Sequence, residues 1–338
     1  MKKRRTEMIH KISVIGSGGW GCALANLLAN KGFDVLLWSW QKEESDMIRE
    51  NKENILCLKG VKLCDTIRYS WSLQEAADAD LYVFAVPSHA VSKTAAQFSQ
   101  FAKAGVPVVN VAKGFDNNTL KLLSEVLEEN LKNNPVAVLS GPSHAEEVGK
   151  GLPTTVTAAC EDEEIAKLVQ DVFMTDVFRV YTNTDVTGVE IGGALKNVIA
   201  LCAGISDGLG FGDNTKAALM TRGLAEIARL GTKMGANPMT FAGLAGVGDL
   251  IVTCTSMHSR NRRAGILIGQ GKTAKQAQKE VKMVVEGVYA TEGAYKLKEK
   301  FEVSMPIVDA SYKVLFEDMN PRDMVMELMM RDKKDETK

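Results

Sequence analysis

The sequence predicts an N-terminal doubly wound α/β domain followed by an all-helical C-terminal domain. Short apolar runs alternate with helical patterns up to about residue 185, and convincing strand patterns are confined to that part of the chain. Strand, helix and strand in series give parallel strands with helices on both faces, so the first part is expected to form a parallel sheet. We therefore predict a boundary between residues 1–188 and 189–338.

The predicted strands are short and apolar on both faces, as expected for strands buried between two helix layers. They lie at residues 12–15, 35–38, 81–86, 106–111, 136–139, 154–158 and 178–181. Helical patterns connect them at 23–31 and 118–131, and an acidic first turn at 161–164 begins another helix. The second domain has helical patterns at 191–205, 215–234, 273–282, 290–300 and 310–316. Its Met-rich end, residues 319–330, is interpreted as core or subunit-contact packing.

The composition is that of a globular protein with balanced charge. Of the 338 residues, 45% are apolar, and 41 basic residues face 42 acidic ones, which gives a net charge of −1. We therefore expect no general basic field that would bind nucleic acid or an anionic membrane. The six cysteines form no Cys-x-x-Cys pair and have no histidines at zinc-finger spacing. They predict reduced thiols and no metal site.

The N-terminal residues Met1-Lys2-Lys3-Arg4-Arg5 resemble the positive start of a signal peptide. The apolar stretch at residues 12–29, however, is interrupted by glycines and has no compact leucine-rich core. No other run of about 18 uncharged apolar residues occurs in the sequence. We therefore expect no membrane span and a cytoplasmic location.

A glycine-rich turn carries the first chemical signal. It reads Gly16-Ser17-Gly18-Gly19-Trp20-Gly21, which matches Gly-x-Gly-x-x-Gly, and it follows a predicted strand and opens a predicted helix. In that context the helix N-terminus offers free N–H groups to a pyrophosphate, which predicts a Rossmann-like domain that binds NAD or NADP. The second strand ends in Trp38-Ser39-Trp40-Gln41-Lys42, without the acid or arginine that distinguishes the two cofactors, so that choice stays open. Trp40 is a candidate for stacking on adenine.

Lys196 lies in a segment, residues 191–205, that is otherwise apolar or small apart from Asn197. A helix that is apolar on every face is buried, and burial lowers the pKa of a lysine toward the range useful for proton transfer. The alternative is that its ammonium reaches solvent. The neighbouring glycines favour the functional interpretation, because they let another surface approach.

Asp249 stands in an uncharged glycine-rich segment and is a candidate partner for a catalytic ammonium. Arg260 and Asn261 follow it, in the run Ser259-Arg260-Asn261-Arg262-Arg263, and supply donors suited to a phosphate. Taken on its own, the arginine cluster favours the alternative of a solvated helix turn. No aromatic platform accompanies these basic residues, so nucleic-acid binding is not expected. His89 and His144 lie in loops after predicted strands and are weaker acid–base candidates.

Together these segments resemble the bacterial-type NAD(P)-dependent glycerol-3-phosphate dehydrogenases over most of the chain. Lys196-Asn197 and Ser259-Arg260-Asn261 occur in the places and in the order that resemble this family. They are more specific for the family than the glycine-rich turn is. The resemblance rests on Val111-Ala112-Lys113-Gly114, Ser140-Gly141-Pro142-Ser143-His144-Ala145, Ala194-Leu195-Lys196-Asn197-Val198, residues 208–216, Gly246-Val247-Gly248-Asp249-Leu250, Ser259-Arg260-Asn261 and Val285-Glu286-Gly287.

The resemblance implies reversible reduction of dihydroxyacetone phosphate to sn-glycerol 3-phosphate with NADH or NADPH, which supplies glycerophospholipid synthesis. It also implies a helical domain like the C-terminal domain of 6-phosphogluconate dehydrogenase. Lys196 would donate and accept the proton, with Asp249 beside it. The implied cofactor residues are Gly16, Gly18, Gly19, Trp20, Gly21, Trp40, Lys113, Ala145, Arg260, Val284 and Glu286. The implied substrate residues are Lys113, Gly141, Ser143, Lys196, Asp249, Ser259, Arg260 and Asn261.

Two alternatives remain at this point. A dehydrogenase of the 6-phosphogluconate or β-hydroxyacid type also joins a Rossmann-like half to a helical domain with a lysine, but the Ser-Arg-Asn element disfavours it. A protein that senses NAD(P) without turnover would need neither a buried lysine nor an aspartate partner. The helical domain and its Met-rich end make a homodimer an expectation.

Overall fold

The computed structural model describes residues 9–333, 335 and 336, and the basic run Met1 to Arg5 lies outside them. Ten strands occur in this part of the chain. In order they are β1 (Lys11–Ile15), β2 (Asp34–Trp38), β3 (Arg68–Ser70), β4 (Leu81–Phe84), β5 (Val108–Asn110), β6 (Phe115–Asp116), β7 (Lys121–Leu122), β8 (Val136–Ser140), β9 (Thr154–Ala159) and β10 (Phe178–Asn183).

Eight of these described strands form one sheet in the order β10-β9-β8-β5-β4-β1-β2-β3, and β6 and β7 form a separate hairpin. The six strands from β8 to β3 run parallel, as predicted. β9 pairs antiparallel with β8, and β10 runs parallel to β9, so the last two strands oppose the rest. The predicted parallel sheet is therefore confirmed for its main part and wrong for its last two strands.

Short helices cover the sheet and connect its strands. They are α1 (Gly19–Asn30), α2 (Lys42–Asn51), α3 (Leu73–Ala76), α4 (Val91–Phe98), α5 (Leu123–Asn130), α6 (Ala145–Gly149) and α7 (Glu163–Phe173). All seven predicted strands are present. The sequence pattern does not predict β3 or the β6–β7 hairpin, because each of these strands is only two or three residues long and carries polar side chains.

The helical half begins at Val186, and no strand occurs beyond it in the described residues. Its helices are α8 (Val186–Gly208), α9 (Asp213–Lys233), α10 (Asp249–Thr255), α11 (Arg260–Gly269), α12 (Ala274–Val281), α13 (Glu286–Lys300), α14 (Pro306–Phe316) and α15 (Pro321–Met329). A π-helical turn, Leu244–Gly248, leads directly into α10. The helix-rich second half is confirmed, and the boundary at residue 188 stays a prediction.

The long helix α8 is the centre of the helical half. By length and composition it is the one helix among the described residues that is able to cross a membrane, but 94% of its most apolar 18-residue window is buried inside the protein. Its side chains Ile191, Leu195 and Val198 belong to the same hydrophobic cluster as Phe241 and Leu297. Packing therefore accounts for the apolar character of this helix.

Glycines allow α8 and α11 to meet with their backbones in contact. Gly204 and Gly208 on α8 face Gly265 and Gly269 on α11, and a Cβ added at any of the four would overlap backbone atoms of the other helix. The two helices therefore pack more closely than larger side chains would allow. This contact fixes the N-terminus of α11 relative to the middle of α8.

The Met-rich end forms α15 and the turn after it. Met324 is 5% exposed, but Met326, Met329 and Met330 are 53–81% exposed. Core packing therefore explains Met324 alone, and a role of the others in subunit contact stays a prediction.

Candidate active site

The glycine-rich turn lies between β1 and α1, at the carboxyl end of the parallel strands. Gly16 has a φ of +123°, and a Cβ there would lie 2.6 Å from the backbone of Ala85. Gly21 is packed against Gly16, so a side chain at either position would disrupt the turn. Trp20 is half-buried and packs against the core cluster that contains β1.

Gly18 differs from its neighbours because a Cβ there would meet nothing within 4 Å. It caps α1, and the first turn of that helix contains no acidic side chain. The space beside Gly18 is therefore open, and no carboxylate competes for the positive end of the helix dipole, which suits a pyrophosphate. The turn fits a dinucleotide.

A loop after α2 closes one side of this space. Asn54 Nδ2 donates to the Ser17 carbonyl oxygen at 2.7 Å, and the same side chain accepts from the N–H of Cys57 at 2.9 Å. Cys57 in turn accepts a hydrogen bond from the Gly19 N–H. Burial raises the pKa of the Cys57 thiol, and the nearby Arg260 guanidinium opposes that rise. Arg260 therefore lies close enough to this loop to interact with the Cys57 side chain.

Trp40 follows β2 and is 55% exposed. The Lys93 ammonium, from α4, lies 5.1 Å from the centroid of its ring. This exposed ring lies beyond the carboxyl ends of β2 and β4, where the adenosine of a dinucleotide binds in folds of this kind. Stacking of adenine on Trp40 stays a prediction.

Two lysines share one buried carboxylate at the centre of the site. Lys196 on α8 and Asp249 at the start of α10 are 6% and 0% exposed, and Lys196 Nζ donates to Asp249 Oδ1. Lys113, just after β5, donates to Asp249 Oδ2 at 2.7 Å and to the Gly141 carbonyl oxygen at 2.9 Å. Lys196 also donates to Thr253 Oγ1 at 2.8 Å. The prediction that Lys196 is buried rather than solvent-exposed is confirmed.

The electrostatics follow from burial and from these contacts. Burial lowers the pKa of Lys196 to about 7, and the adjacent Asp249 opposes this change while Lys113 adds to it. Burial disfavours ionisation of Asp249, but the two lysines outweigh it and hold the pKa of this carboxyl below its usual range. The site therefore holds an ionised aspartate beside an amine that titrates near neutral pH.

Each ammonium keeps one N–H for a ligand. An ammonium has three N–H groups, and among the described residues Lys196 and Lys113 each direct two of them to protein acceptors. The site can therefore offer two convergent donors to one oxygen atom of a substrate. Sequence reasoning gives Thr253 no role, although its position four residues after Asp249 on the same helix is an available signal.

The loop after β8 borders this cluster. Gly141 has a φ of +136°, and its carbonyl oxygen accepts from Ser143 Oγ at 2.9 Å as well as from Lys113. Ala145 starts α6, and its Cβ lies 3.6 Å from the position of a Cβ on Gly19. The structure thus brings the predicted residues of this loop between the lysines and the glycine-rich turn.

His144 lies beside the cluster and His89 lies at its edge. Burial lowers the pKa of His144, and the Lys196 charge adds to this effect. His144 Nε2 lies 3.4 Å from the Val252 carbonyl oxygen. His89 stacks on Tyr289 with ring centroids 5.2 Å apart.

The predicted phosphate residues lie at the N-terminus of α11. Ser259 is the N-cap, and its Oγ accepts from the Arg262 N–H at 3.2 Å. Asn261 is buried, donates to Asn197 Oδ1 at 2.9 Å, and accepts from the Gly287 N–H at 2.8 Å. The adjacent Arg260 is half-buried. A helix N-terminus with an arginine beside it is suited to an anion.

Val284 and Glu286 lie at the start of α13. Glu286 accepts from the Ser88 N–H at 3.1 Å and from Ser88 Oγ at 2.5 Å, which joins the sheet to the helical half. Val284 is half-buried next to this junction. The structure thus shows that the Glu286 carboxylate already has protein partners, and a role of both residues in binding the cofactor stays a prediction.

Comparison with known proteins identifies the family. Residues 11–166 match the family model for the N-terminus of NAD-dependent glycerol-3-phosphate dehydrogenase, and residues 185–326 match the model for its C-terminus. The chain belongs to the NAD-dependent glycerol-3-phosphate dehydrogenase family. The motif resemblance found in the sequence is thereby confirmed.

Curated relatives and solved structures agree with this membership. A glycerol-3-phosphate dehydrogenase [NAD(P)+] from Desulfitobacterium hafniense is 55% identical over 96% of this chain and 93% of its own length. One from Fusobacterium nucleatum is 54% identical over 96% and 98%. A crystal structure of glycerol-3-phosphate dehydrogenase from Coxiella burnetii has a TM-score of 0.93 and 37% identity, and covers 96% of this chain and 99% of its own.

Proposed function

We propose that this chain reduces dihydroxyacetone phosphate to sn-glycerol 3-phosphate, reversibly and with NADH or NADPH, and that Lys196 is its proton donor. As a member of this family the chain is an NAD(P)-dependent oxidoreductase. The observation that carries the residue assignment is the buried pair of lysines that shares Asp249. The product is the backbone of glycerophospholipids, so the reaction supplies their synthesis.

The residues around the cleft suit each part of the two reactants. The glycine-rich turn and Trp40 would hold the pyrophosphate and adenine of the cofactor, with Ala145 at the turn. When bound, the nicotinamide supplies or accepts the hydride. Arg260 and the N-terminus of α11 would bind the substrate phosphate, which fixes the distance from the phosphate to the reacting carbon.

Lys196 and Lys113 would each donate an N–H to the carbonyl oxygen of the substrate. Charge develops on that oxygen during reduction, and two preorganised cations in a dry site stabilise it. Lys196 then transfers its proton to the oxygen, a step for which a pKa of about 7 is well matched at neutral pH. Asp249 stays ionised and holds both ammonium groups in place. In the reverse direction the neutral Lys196 amine accepts the proton.

The experiment is a comparison of substrates and variants by nicotinamide absorbance. Wild-type protein should reduce dihydroxyacetone phosphate with a far lower KM than dihydroxyacetone, which lacks the phosphate, and should not reduce β-keto acids. Lys196→Ala should lower kcat by about 10²–10⁴ while the Kd for NADH changes little. Lys103→Ala, which removes a surface lysine paired with Asp78, is the matched control and should retain full activity.

The results separate this function from its alternatives. Binding of NADH with no turnover of any phosphorylated triose would favour a sensor. Full activity of Lys196→Ala would exclude this lysine as the proton donor. Rates with NADH and NADPH in the same assay determine the preferred cofactor.

The setting of the enzyme is part of the proposal. A small-molecule substrate, a balanced charge and reduced cysteines suit a cytoplasmic enzyme that needs neither nucleic acid nor a membrane. The exposed methionines of α15 suit a homodimer contact, and sedimentation of the purified protein tests it.

A further inference from the structure

Glu190 is a buried carboxylate outside the residues already discussed. It lies on α8 and is 5% exposed. Its Oε1 accepts from Asn110 Nδ2 at 3.0 Å and from the Ser124 N–H at 3.1 Å, and its Oε2 accepts from Ser124 Oγ. Burial raises the pKa of Glu190 to about 7, and these hydrogen bonds oppose the rise. An acidic group in such a place costs free energy, so its presence requires a reason.

The contact with Asn110 leads toward the catalytic lysines. Asn110 is the last residue of β5, and its Oδ1 accepts from the Ala112 N–H at 3.1 Å while its Nδ2 also reaches the Ala112 carbonyl oxygen at 3.3 Å. Ala112 immediately precedes Lys113. Asn110 Oδ1 accepts from the Ala112 N–H, so Nδ2 is the atom that faces Glu190. The hydrogen bond from Nδ2 to the carboxylate therefore holds the Asn110 amide in the orientation in which it binds Ala112.

The same helix carries Lys196 six residues later. At 1.5 Å per residue the two positions are about 9 Å apart along α8. One rigid, buried helix thus provides the proton-donating amine and also anchors the loop that provides the second amine. Both amines end at Asp249.

We propose that Glu190 is a positioning residue. It holds residues 111–114, the Lys113 loop, in the place where the ammonium groups of Lys113 and Lys196 share Asp249. It acts through Asn110 and does not touch the substrate. This inference rests on the proposed roles of Lys113 and Lys196.

The test replaces Glu190 by leucine, which keeps a similar volume but removes both oxygens that accept from Asn110 and Ser124. The Lys113 loop should shift, and kcat/KM for dihydroxyacetone phosphate should fall about 10- to 100-fold, the effect expected of a displacement near 1 Å in a reacting group. The matched control is Glu226→Leu. Glu226 is also a buried carboxylate, and it accepts from the Ile307 and Val308 N–H groups at the start of α14.

A second variant separates positioning from stability. The conservative variant Glu190→Gln is the rescue, because its Oε1 keeps the acceptor for Asn110 Nδ2 and the Ser124 N–H while its NH2 group donates to Ser124 Oγ, so kcat/KM should stay close to that of the wild-type protein. If Glu190→Leu lowers kcat/KM no more than Glu226→Leu does, or if Glu190→Gln keeps the wild-type Tm without activity, the proposal is wrong.

A crystal structure of Glu190→Leu gives a readout that does not depend on turnover. The proposal expects Lys113 Nζ to have lost its contact with Asp249 or with the Gly141 carbonyl oxygen. If both contacts were intact, the positioning role would be wrong, whether or not the wild-type protein is active on dihydroxyacetone phosphate. Inactivity of the wild-type protein on that substrate would count against the proposed function instead.

Discussion

Replacing Asp249 by asparagine tests the electrostatics of the site most directly. The substitution keeps the size of the side chain but removes the negative charge that Lys113 and Lys196 share. At an effective dielectric of about 20, an opposite charge about 4 Å away contributes ~4 kcal/mol to the charged form of a group. At about 1.36 kcal/mol per pKa unit, the pKa of Lys196 should therefore fall by roughly three units from its value of about 7.

The pH dependence of dihydroxyacetone phosphate reduction shows the shift. Reduction needs the protonated amine, so wild-type kcat/KM should be constant below pH 7 and fall as the pH rises through about 7. In Asp249→Asn the amine is already neutral from about pH 6 upward. Its kcat/KM should fall about tenfold per pH unit from about pH 6 upward, and at pH 7 it should be about 10²–10³ lower than that of the wild-type protein.

The matched control is Asp207→Asn. Asp207 pairs with Lys216 and Arg262 in the same helical half but does not contact the lysine pair. Its pH profile should keep the wild-type break near pH 7. An Asp249→Asn profile with a plateau below pH 7 and a break at the wild-type position would refute the electrostatic reasoning, whatever the loss of rate.

Four further variants probe the two binding regions. Arg260→Ala should raise KM for dihydroxyacetone phosphate about 10- to 100-fold, as expected for lost charged hydrogen bonds, and leave KM for dihydroxyacetone unchanged; equal effects on both would place the phosphate elsewhere. Gly18→Ala should weaken NADH binding in calorimetry and leave Tm unchanged, because its Cβ would meet no protein atom. Gly19→Ala should weaken NADH binding and also lower Tm, because its Cβ would lie 2.6 Å from the Cys57 carbonyl oxygen. Trp40→Ala should weaken binding of ADP-ribose several-fold in a titration, as expected for lost stacking of about 1 kcal/mol, and unchanged affinity would exclude the ring from the adenine site.

The local parts of this site are predictable from the sequence. A glycine-rich turn between a strand and a helix commonly binds the pyrophosphate of a dinucleotide. A lysine in an otherwise apolar helix is informative because burial of its charge is costly. These two signals identify the turn at Gly16 and the side chain of Lys196. The family motifs then point to Asp249 and Arg260.

The links between distant segments are not predictable in this way. Lys113 and Asp249 are 136 positions apart, and nothing in either neighbourhood indicates that they meet. The direction of β9 escapes prediction for a similar reason, because its apolar pattern is the same for parallel and antiparallel pairing. Glu190 has no local signal at all, since its proposed role depends on Asn110 and Ser124, which are 80 and 66 positions away.

The backbone contact between α8 and α11 sets the reach of the enzyme. α8 carries Lys196, the proposed proton donor, and α11 begins at Arg260, the proposed phosphate ligand. The glycines leave the two helices no room to move closer and no flexible side chains to rearrange. The distance between the Lys196 amine and the N-terminus of α11 is therefore fixed by backbone contacts. A fixed distance favours one carbon-chain length, so four-carbon homologues of the substrate should be rejected even where their polar groups are the same.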